Sequence, residues 1–89
     1  MSTCYVYILE CSNGAYYTGI TNNIDRRLSE HLEGKDKTCY TYRYRPVTLV
    51  FTERFEDPRK VIAFEKQVKG WRREKKKALI SRDWERYNQ

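Results

Sequence analysis

A short loop between two strand-like segments constrains this chain more than any other feature. Residues 4–11 and 15–21 have the β-branched and aromatic composition of strands, and residues 12–14, Ser-Asn-Gly, separate them. Side chains alternate between the two faces of a strand, so the length of the loop decides which side chains share a face. A two-residue Asn-Gly turn would put Tyr7 and Tyr17 on opposite faces of the hairpin.

A three-residue loop with Gly14 in the left-handed conformation gives the other parity. It would pair Leu9 with Tyr17. Tyr7 would then pair with Gly19, and the two tyrosines would share a face. Glycine adopts the left-handed conformation without strain, so we predict the three-residue loop. Gly19 then leaves an open space beside Tyr7, where a ligand or another backbone can come close.

The segment after the hairpin predicts an amphipathic helix. Asn22 and Asn23 are both suitable N-caps, and Gly34 is a suitable C-cap. Arg27 and His31 are four residues apart, so they lie side by side at the edge of the apolar stripe. That stripe has three members at four-residue spacing: Ile24, Leu28 and Leu32.

The rest of the chain predicts one more strand and two or three further helices. Residues 35–46 are basic and aromatic without clear periodicity, and form either a loop or one short helix. Residues 47–55 are apolar on both sides at their centre, which indicates a third strand covered on both faces. Asp57 and Pro58 are typical of a helix start, and residues 73–84 predict a last short helix. Three apolar side chains of that helix should point inward: Ala78, Leu79 and Trp84. We therefore predict an α/β (α+β) domain with a three-stranded, mainly antiparallel sheet.

One glutamate interrupts the apolar stripe of the helix that starts at Asp57. Glu65 falls inside that stripe, on the side that should face the core. A carboxylate in such a place is costly unless a nearby cation or another group compensates it. The buried positions around it are Val61, Phe64 and Val68.

Length and cysteine content limit the class of protein. Eighty-nine residues allow one domain, which we assign to residues 1–89. No apolar run reaches the roughly 18 residues of a membrane span. The N-terminus has no basic leader segment, so we expect a cytoplasmic protein that does not bind membranes. The three cysteines have no metal-ligand spacing, which argues against a zinc site and a disulfide framework.

The charge of the chain is basic and clustered. Its net charge is +6, and Lys66 to Lys77 contains seven Lys or Arg residues and a single acid. A second basic zone, residues 35–45, alternates Lys and Arg with tyrosines. Cations beside aromatic rings suit phosphate contact and base stacking. The alternative is an ordinary solvated surface, since 34% of the chain is charged.

Taken together, these residues have what phosphodiester hydrolysis needs. That reaction requires a deprotonated water, positive groups for the developing charge and help for the leaving oxygen. A single carboxylate, completed by water and phosphate oxygens, is an ordinary way to hold Mg²⁺. In sequence order the relevant groups are Tyr5-Val6-Tyr7, Tyr17-Thr18-Gly19, Arg27, His31 and Glu65.

This ordered set resembles the GIY-YIG nuclease superfamily, and most closely its small single-domain bacterial members, an uncharacterised protein family. The resemblance covers residues 4–80. It implies a three-stranded antiparallel sheet flanked by helices in the order β-β-α-α-β-α, with the second helix inside residues 35–45. Gly19 matches the glycine of the second signature.

The resemblance also implies roles for five side chains. Tyr7 matches the general base that acts on the attacking water, directly or through a neighbour. Tyr17 matches the tyrosine that orients water or phosphate, and Arg27 matches the arginine that stabilises the phosphorane-like charge. His31 matches a position that assists proton movement, and Glu65 matches the single metal-binding glutamate. A free tyrosine titrates near pH 10, so we expect Mg²⁺ and Arg27 to lower the pKa of Tyr7.

The chain also departs from the family pattern. Tyr5 replaces a glycine of the first signature, and Thr18 replaces an isoleucine of the second. Several members carry a further polar residue, often asparagine, after the glutamate, where this chain is rich in Lys and Arg. Six residues are our candidates for nucleic-acid binding: Gly19, Arg43, Arg45, Lys69, Arg72 and Arg73.

The resemblance favours a Mg²⁺-dependent endonuclease that acts on DNA rather than RNA, with a role in DNA repair or recombination. It should recognise branched, damaged or single-stranded forms with low sequence specificity, unless a protein partner supplies specificity. One alternative is a nucleic-acid-binding module with the same fold and little or no cleavage. Another is an adaptor that binds a protein through residues 40–45.

Overall fold

A three-stranded antiparallel sheet in the order β2-β1-β3 forms the centre of the molecule. The computed structural model describes residues 3–35 and 37–81. In chain order the elements are β1 (Cys4–Glu10), β2 (Tyr16–Thr21), α1 (Ile24–Glu33), α2 (Tyr40–Arg43), β3 (Thr48–Phe55), α3 (Pro58–Lys69) and α4 (Arg73–Ile80). This order confirms the predicted fold, with α4 as the predicted last short helix. The inward position predicted for Trp84 lies outside the described residues.

The hairpin has the predicted three-residue loop. Gly14 is left-handed, with φ of 83°, and the Gly14 N–H donates to the Cys11 carbonyl at 2.9 Å. Tyr7 pairs with Gly19 across the two strands. Tyr17 pairs with Leu9, so Tyr7 and Tyr17 share one face of the sheet.

Helices cover both faces of the sheet. On the first face, Tyr7 and Leu9 pack with Ile24 and Leu28 of α1 and with Val47. The second face carries a separate core cluster, in which α3 and α4 contribute side chains. Its buried members are Ile8, Phe51, Val68 and Leu79.

The third strand takes part in both clusters, as predicted. Leu49 packs in the first cluster, whereas Phe51 is buried in the second. The pairing with β1 shifts by one residue between Ile8 and Leu9, which is a β-bulge.

The predicted stripe of α1 is wrong at its last member. Leu32 is 49% exposed, while His31 is buried. Successive helical residues turn by about 100°, so a residue eight positions after Ile24 lies about 80° away from it. His31, seven positions after Ile24, lies only about 20° away and therefore faces the sheet. The caps are as predicted, with Asn23 at the start and a left-handed Gly34 at the end.

In α3 the predicted stripe is confirmed. Asp57 caps the helix by accepting from the Arg59 N–H at 2.9 Å. Val61 and Val68 are buried, and the side chain of Glu65 between them is 12% exposed. Lys69 Nζ lies 2.8 Å from Glu65 Oε1 and compensates this carboxylate.

Within residues 3–35 and 37–81, no helix is long and apolar enough to cross a membrane. Cys4, Cys11 and Cys39 are free thiols.

Candidate active site

Tyr7 lies at the centre of a hydrogen-bonded group that joins β1, α1 and α2. Its Oη accepts from Arg27 Nε–H at 3.2 Å. The same oxygen lies 3.1 Å from His31 Nε2, and the other ring nitrogen of His31 lies 2.6 Å from Thr41 Oγ1. Arg27 and His31 therefore meet at one phenol, because both lie on the turn of α1 that faces β1.

Gly19 allows Tyr7 to take this position. A Cβ atom at Gly19 would lie 2.5 Å from Tyr7 Oη and 2.6 Å from its Cζ. We predicted an open space for a ligand beside Tyr7, but the Tyr7 ring itself fills that space. The assignment of Gly19 to nucleic-acid binding stays a prediction, and the structure adds a role for this glycine in placing Tyr7.

Tyr17 completes a cluster of three rings. Its ring centroid lies 6.4 Å from that of Tyr7 and 5.3 Å from that of His31. The Tyr7 and His31 rings are 5.8 Å apart and meet edge to face. The predicted hairpin parity and the four-residue spacing of α1 thus bring four of the five predicted catalytic residues together.

Burial keeps both tyrosines in the neutral form. Burial raises the pKa of Tyr17 to about 12. Burial also raises the pKa of Tyr7, although the hydrogen bond and charge of Arg27 act in the opposite direction. We predicted a lowered pKa for Tyr7. That prediction is right that Arg27 lowers the pKa of Tyr7. It is wrong about the net direction without a metal, because Tyr7 is only 3% exposed and the effect of burial exceeds that of one cation.

Arg27 stays charged and remains accessible. Its hydrogen bond to Tyr7 raises the pKa of the guanidinium further above its ordinary value. The side chain is 30% exposed, and Nη1 lies 3.6 Å from Glu30 Oε1. A partly exposed ion pair of this length is weak and can be exchanged for a phosphate.

Glu65 comes from the other side of the sheet. It lies on α3, which packs on the second face, and its ion pair is with Lys69. No hydrogen bond or ion pair of the described residues joins Glu65 to Tyr7 or Arg27. The two sides approach each other at the edge strand β2, where Lys69 and Tyr17 line one open groove.

The described oxygen donors, Glu65 among them, fit a hydrated divalent cation and no richer metal site. Within residues 3–35 and 37–81 there is no group of three His, Cys, Asp or Glu residues that could hold a metal. Glu65 is a mostly buried carboxylate. The side chain of its partner, Lys69, is 60% exposed, and lysine has a long, flexible side chain. Thr18 Oγ1, at the same groove, is buried without a hydrogen-bond partner. Mg²⁺ usually keeps several waters and takes one or two carboxylates, so this donor set is compatible with it.

The predicted nucleic-acid-binding cations fall into two groups. Arg73 lies at the edge of β2, where it stacks on Tyr16 at 4.7 Å and donates to the Gly14 carbonyl at 2.5 Å. Arg72 is exposed at the start of α4. Arg43 and Arg45 are exposed beside α2, and Arg45 stacks on Tyr42.

Sequence reasoning missed two residues near the site, Thr41 and Cys39, and did not single out Lys76 within its basic segment. Thr41 is buried against His31, and Cys39 Sγ lies 3.3 Å from the Thr41 hydroxyl. Burial raises the pKa of Cys39, but hydrogen bonds from Thr41 and Tyr17 and the charge of Arg27 outweigh it and lower the pKa. Lys76 lines the groove at β2. Thr41 and Cys39 gave no signal, because their segment has no periodicity from which a buried face could be predicted.

Comparisons with known proteins agree with this fold. A family model described as the GIY-YIG catalytic domain matches residues 3–78. A UPF0213 protein of Syntrophus aciditrophicus is 46% identical over 86 residues, which cover 97% of this chain and 99% of that protein. UPF0213 protein VNG_2274C of Halobacterium salinarum is 43% identical over 76 residues, with 85% and 97% coverage.

A solved structure is also similar. The solution NMR structure of UPF0213 protein BH0048 from Bacillus halodurans has a TM-score of 0.59 and 42% sequence identity. The likeness covers 89% of this chain and 83% of that one. The five predicted catalytic residues, from Tyr7 to Glu65, lie within the range 3–78 that the family model matches, and their roles stay predictions.

Proposed function

Because this chain belongs to the GIY-YIG catalytic-domain family, we propose that it is a metal-dependent endonuclease that hydrolyses phosphodiester bonds in DNA. The observation that most supports this activity is the shared hydrogen bonding of Tyr7. One phenol oxygen contacts both a cation, Arg27, and a proton acceptor, His31. The contact with His31 serves to activate water, and the contact with Arg27 places the cation that stabilises charge.

Tyr7 acts as a proton relay rather than as a free tyrosinate. Its pKa is raised by burial, so the hydroxyl is protonated at neutral pH. Tyr7 Oη takes a proton from the attacking water while its own proton passes to His31 Nε2, 3.1 Å away. The hydroxide that remains attacks phosphorus, the bond from phosphorus to the leaving oxygen breaks, and that oxygen takes a proton from water. Water reaches Tyr7 on the side of Tyr17 and Arg27, which are only partly buried.

Arg27 stabilises the charge that develops on the phosphoryl oxygens. Its guanidinium is held by Tyr7 through Nε, which leaves the outer nitrogens to face the substrate. Nη1 now lies near Glu30, and a phosphate would replace that weak partner. Preorganised donors of this kind supply several kcal/mol in related reactions, typically about 3 kcal/mol per donor.

Glu65 is the residue that would hold a divalent cation, with Mg²⁺ as our proposal. When bound, the cation would neutralise charge on the phosphate and the leaving oxygen. Lys69 would then leave the Glu65 carboxylate and become available for a phosphate contact. The chain's own groups remain responsible for moving the proton and for holding the substrate.

The substrate we propose is DNA in a branched, damaged or single-stranded form, cut with low sequence specificity in the cytoplasm during repair or recombination. The net charge of +6 supports a polyanionic partner. Lys69 and Arg73 lie towards the β2 edge. Arg72 is exposed at the start of α4, while Arg43 and Arg45 extend the basic surface along α2. Contacts of this type bind the phosphate backbone and do not read sequence. A protein partner would supply any defined target.

Incubation with Mg²⁺ and a panel of single-stranded, nicked and branched DNAs tests this activity. The wild-type protein should cut at least one member. Glu65→Gln should lose cutting by roughly a hundredfold or more while binding changes less than about twofold, because it removes the metal ligand and keeps the shape. Glu56→Gln, an exposed carboxylate that pairs with Arg54, is the matched control and should cut like the wild type.

One observation favours a second candidate, a module that binds nucleic acid without cutting it. The Glu65–Lys69 ion pair already neutralises the carboxylate without any metal. DNA binding with no cutting across the whole panel would therefore contradict the nuclease and support this binding module. Absence of salt-dependent binding to any nucleic acid would contradict both.

A further inference from the structure

Thr41 is a buried polar residue in direct contact with the proposed proton acceptor. Its side chain is 1% exposed, and Oγ1 lies 2.6 Å from His31 Nδ1. The same hydroxyl lies 3.3 Å from Cys39 Sγ. Thr41 is thus placed between the histidine and a thiol, with no direct contact to the Tyr7 phenol in the hydrogen bonds described.

The contacts of Tyr7 indicate which nitrogen of His31 carries the proton. Arg27 Nε can only donate, so Tyr7 Oη is the acceptor in that bond. The hydrogen of the Tyr7 hydroxyl needs an acceptor of its own, because this side chain is 3% exposed. Among the hydrogen bonds described for Tyr7, the group able to accept is His31 Nε2. Neutral His31 must therefore carry its proton on Nδ1.

The hydrogen bonds from His31 to Thr41 and from Thr41 to Cys39 are consistent with this assignment. His31 Nδ1–H donates to Thr41 Oγ1 over 2.6 Å. The Thr41 hydroxyl then has its own hydrogen to donate, and Cys39 Sγ is within reach as the acceptor. In the opposite direction the hydrogen of the buried Tyr7 hydroxyl would have no acceptor among the hydrogen bonds of residues 3–35 and 37–81. The tautomer of a histidine is set by the bond that its other nitrogen makes, and here Thr41 makes that bond.

We propose that Thr41 is a positioning residue that holds neutral His31 in the Nδ1–H tautomer and so keeps Nε2 available to take the proton of Tyr7. The catalytic consequence rests on the proposed nuclease function. The tautomer itself does not, and it can be measured on the protein alone.

The tautomer is tested by long-range ¹H–¹⁵N NMR. His31 is the single histidine of the chain, so the spectrum needs no assignment. Above about pH 8, where an ordinary histidine is neutral, the wild type and Thr41→Ser should show a protonated Nδ1. Thr41→Val keeps the shape but loses the hydroxyl, and should shift the ring towards the Nε2–H form. An Nε2–H ring in the wild type, or no shift in Thr41→Val, would overturn the proposal.

Cleavage kinetics test the catalytic consequence. Thr41→Val should lower kcat by about tenfold to a hundredfold, the range lost when the support of a catalytic group is removed, with KM changed by less than about twofold. Thr41→Ser should stay near the wild type. Thr48→Val makes the same chemical change at an exposed position and should leave both the tautomer and kcat unchanged.

The outcomes separate the two proposals. If the wild type does not cut any DNA, the nuclease function fails, and the NMR result still decides the role of Thr41. If Thr41→Val changes the tautomer but cuts at the wild-type rate, the positioning role is overturned. If Thr41→Val does not fold, Thr41→Ala, which also removes the hydroxyl, takes its place in both measurements, with the same expected result and the same contradicting result.

Discussion

The position of the Tyr7 phenol depends on the side chain that Gly19 lacks. A methyl group at Gly19 would lie 2.5 Å from Tyr7 Oη, which no real contact tolerates, so the phenol would have to move. The phenol would then lose its hydrogen bonds to Arg27 Nε, at 3.2 Å, and to His31 Nε2, at 3.1 Å. Gly19 is therefore a residue of the site although it has no side chain.

Replacing Gly19 with alanine should reduce DNA cleavage by roughly a hundredfold, since a displacement of about 1 Å costs that much in a positioned reaction. Cleavage rates under single-turnover conditions measure this effect. Gly70→Ala is the matched control. Its Cβ would lie 3.6 Å from the nearest atom, the Gln67 carbonyl oxygen, and its φ of −83° suits alanine. A Gly19→Ala protein that cuts at the wild-type rate would contradict this role.

Buried tyrosines should make the fold sensitive to alkali. Burial raises the pKa of Tyr17 to about 12 from the ordinary 10.0 and also raises that of Tyr7. Between pH 10 and 12 the unfolded chain loses these protons and the folded chain keeps them, so stability falls as pH rises. The contribution is complete below about pH 10 and is lost as pH passes about 12.

Thermal unfolding followed by circular dichroism measures this pH dependence. Tm should fall between about pH 10 and pH 12. Tyr17→Phe has no proton to lose, so its Tm should fall less steeply over the same range. Parallel curves for the two proteins would show that Tyr17 is not held in the neutral form.

At the residue scale, regular periods made the site predictable. Tyr7 and Tyr17 were placed on one face by the two-residue period of strands, and Arg27 was placed beside His31 by helical spacing. The burial of His31 in place of Leu32 was not predicted, because counting every fourth residue ignores the slow drift of the stripe around the helix. Burial also decides the net pKa direction of Tyr7, and sequence does not contain that quantity.

At the scale of elements, α1 matters most because it carries both Arg27 and His31. Asn23 starts it, and its Oδ1 accepts from the Arg26 N–H at 3.0 Å. The neighbouring Asn22 accepts from the side chain of Arg26, at 3.2 Å on the surface. Asn23 therefore caps the helix backbone, and Asn22, the same residue type one position earlier, serves as its control.

Asn23→Ala should lower the free energy of unfolding by about 1 kcal/mol, the usual cost of losing an N-cap. Asn22→Ala should change it by less than about 0.5 kcal/mol, as expected for a surface substitution. Urea unfolding of both variants measures the difference. Equal losses would show that the Asn23 side chain does not stabilise the start of α1.

The elements differ in how clearly their residues predict them. The hairpin was predictable because Gly14 suits the left-handed position at the end of a three-residue loop, and it adopts that conformation here. The helix α2 was not, since it has four residues and its N-cap, Cys39, makes no side-chain capping bond. A single turn shows no periodicity, so Thr41 could not be identified as a buried residue from its segment.

At the scale of the molecule, the candidate site is divided between the two faces of the sheet. Tyr7, Arg27 and His31 belong to the face covered by α1, whereas Glu65 comes from α3 on the other face. The sequence predicts each half, but the gap between them depends on how α3 crosses the sheet, and no local pattern encodes that crossing. The edge strand β2 is where a ligand can reach both halves, because Tyr17 and Lys69 line one groove there.

If DNA enters at this edge, Lys76 should bind it and its neighbour Lys77 should not. Lys76 lines the groove with Tyr16, Tyr17 and Tyr40, whereas Lys77 lies about 100° further around α4 and is exposed. Either substitution to alanine removes one positive charge, so any difference comes from position alone. Lys76→Ala should weaken binding to single-stranded DNA and reduce the slope of log K against log salt by about 1, since one phosphate contact is lost. Fluorescence anisotropy over a series of KCl concentrations measures this slope.

Lys77→Ala should keep the wild-type slope. Equal effects of the two substitutions would mean that DNA binding responds to the net charge of the protein and does not follow the β2 edge.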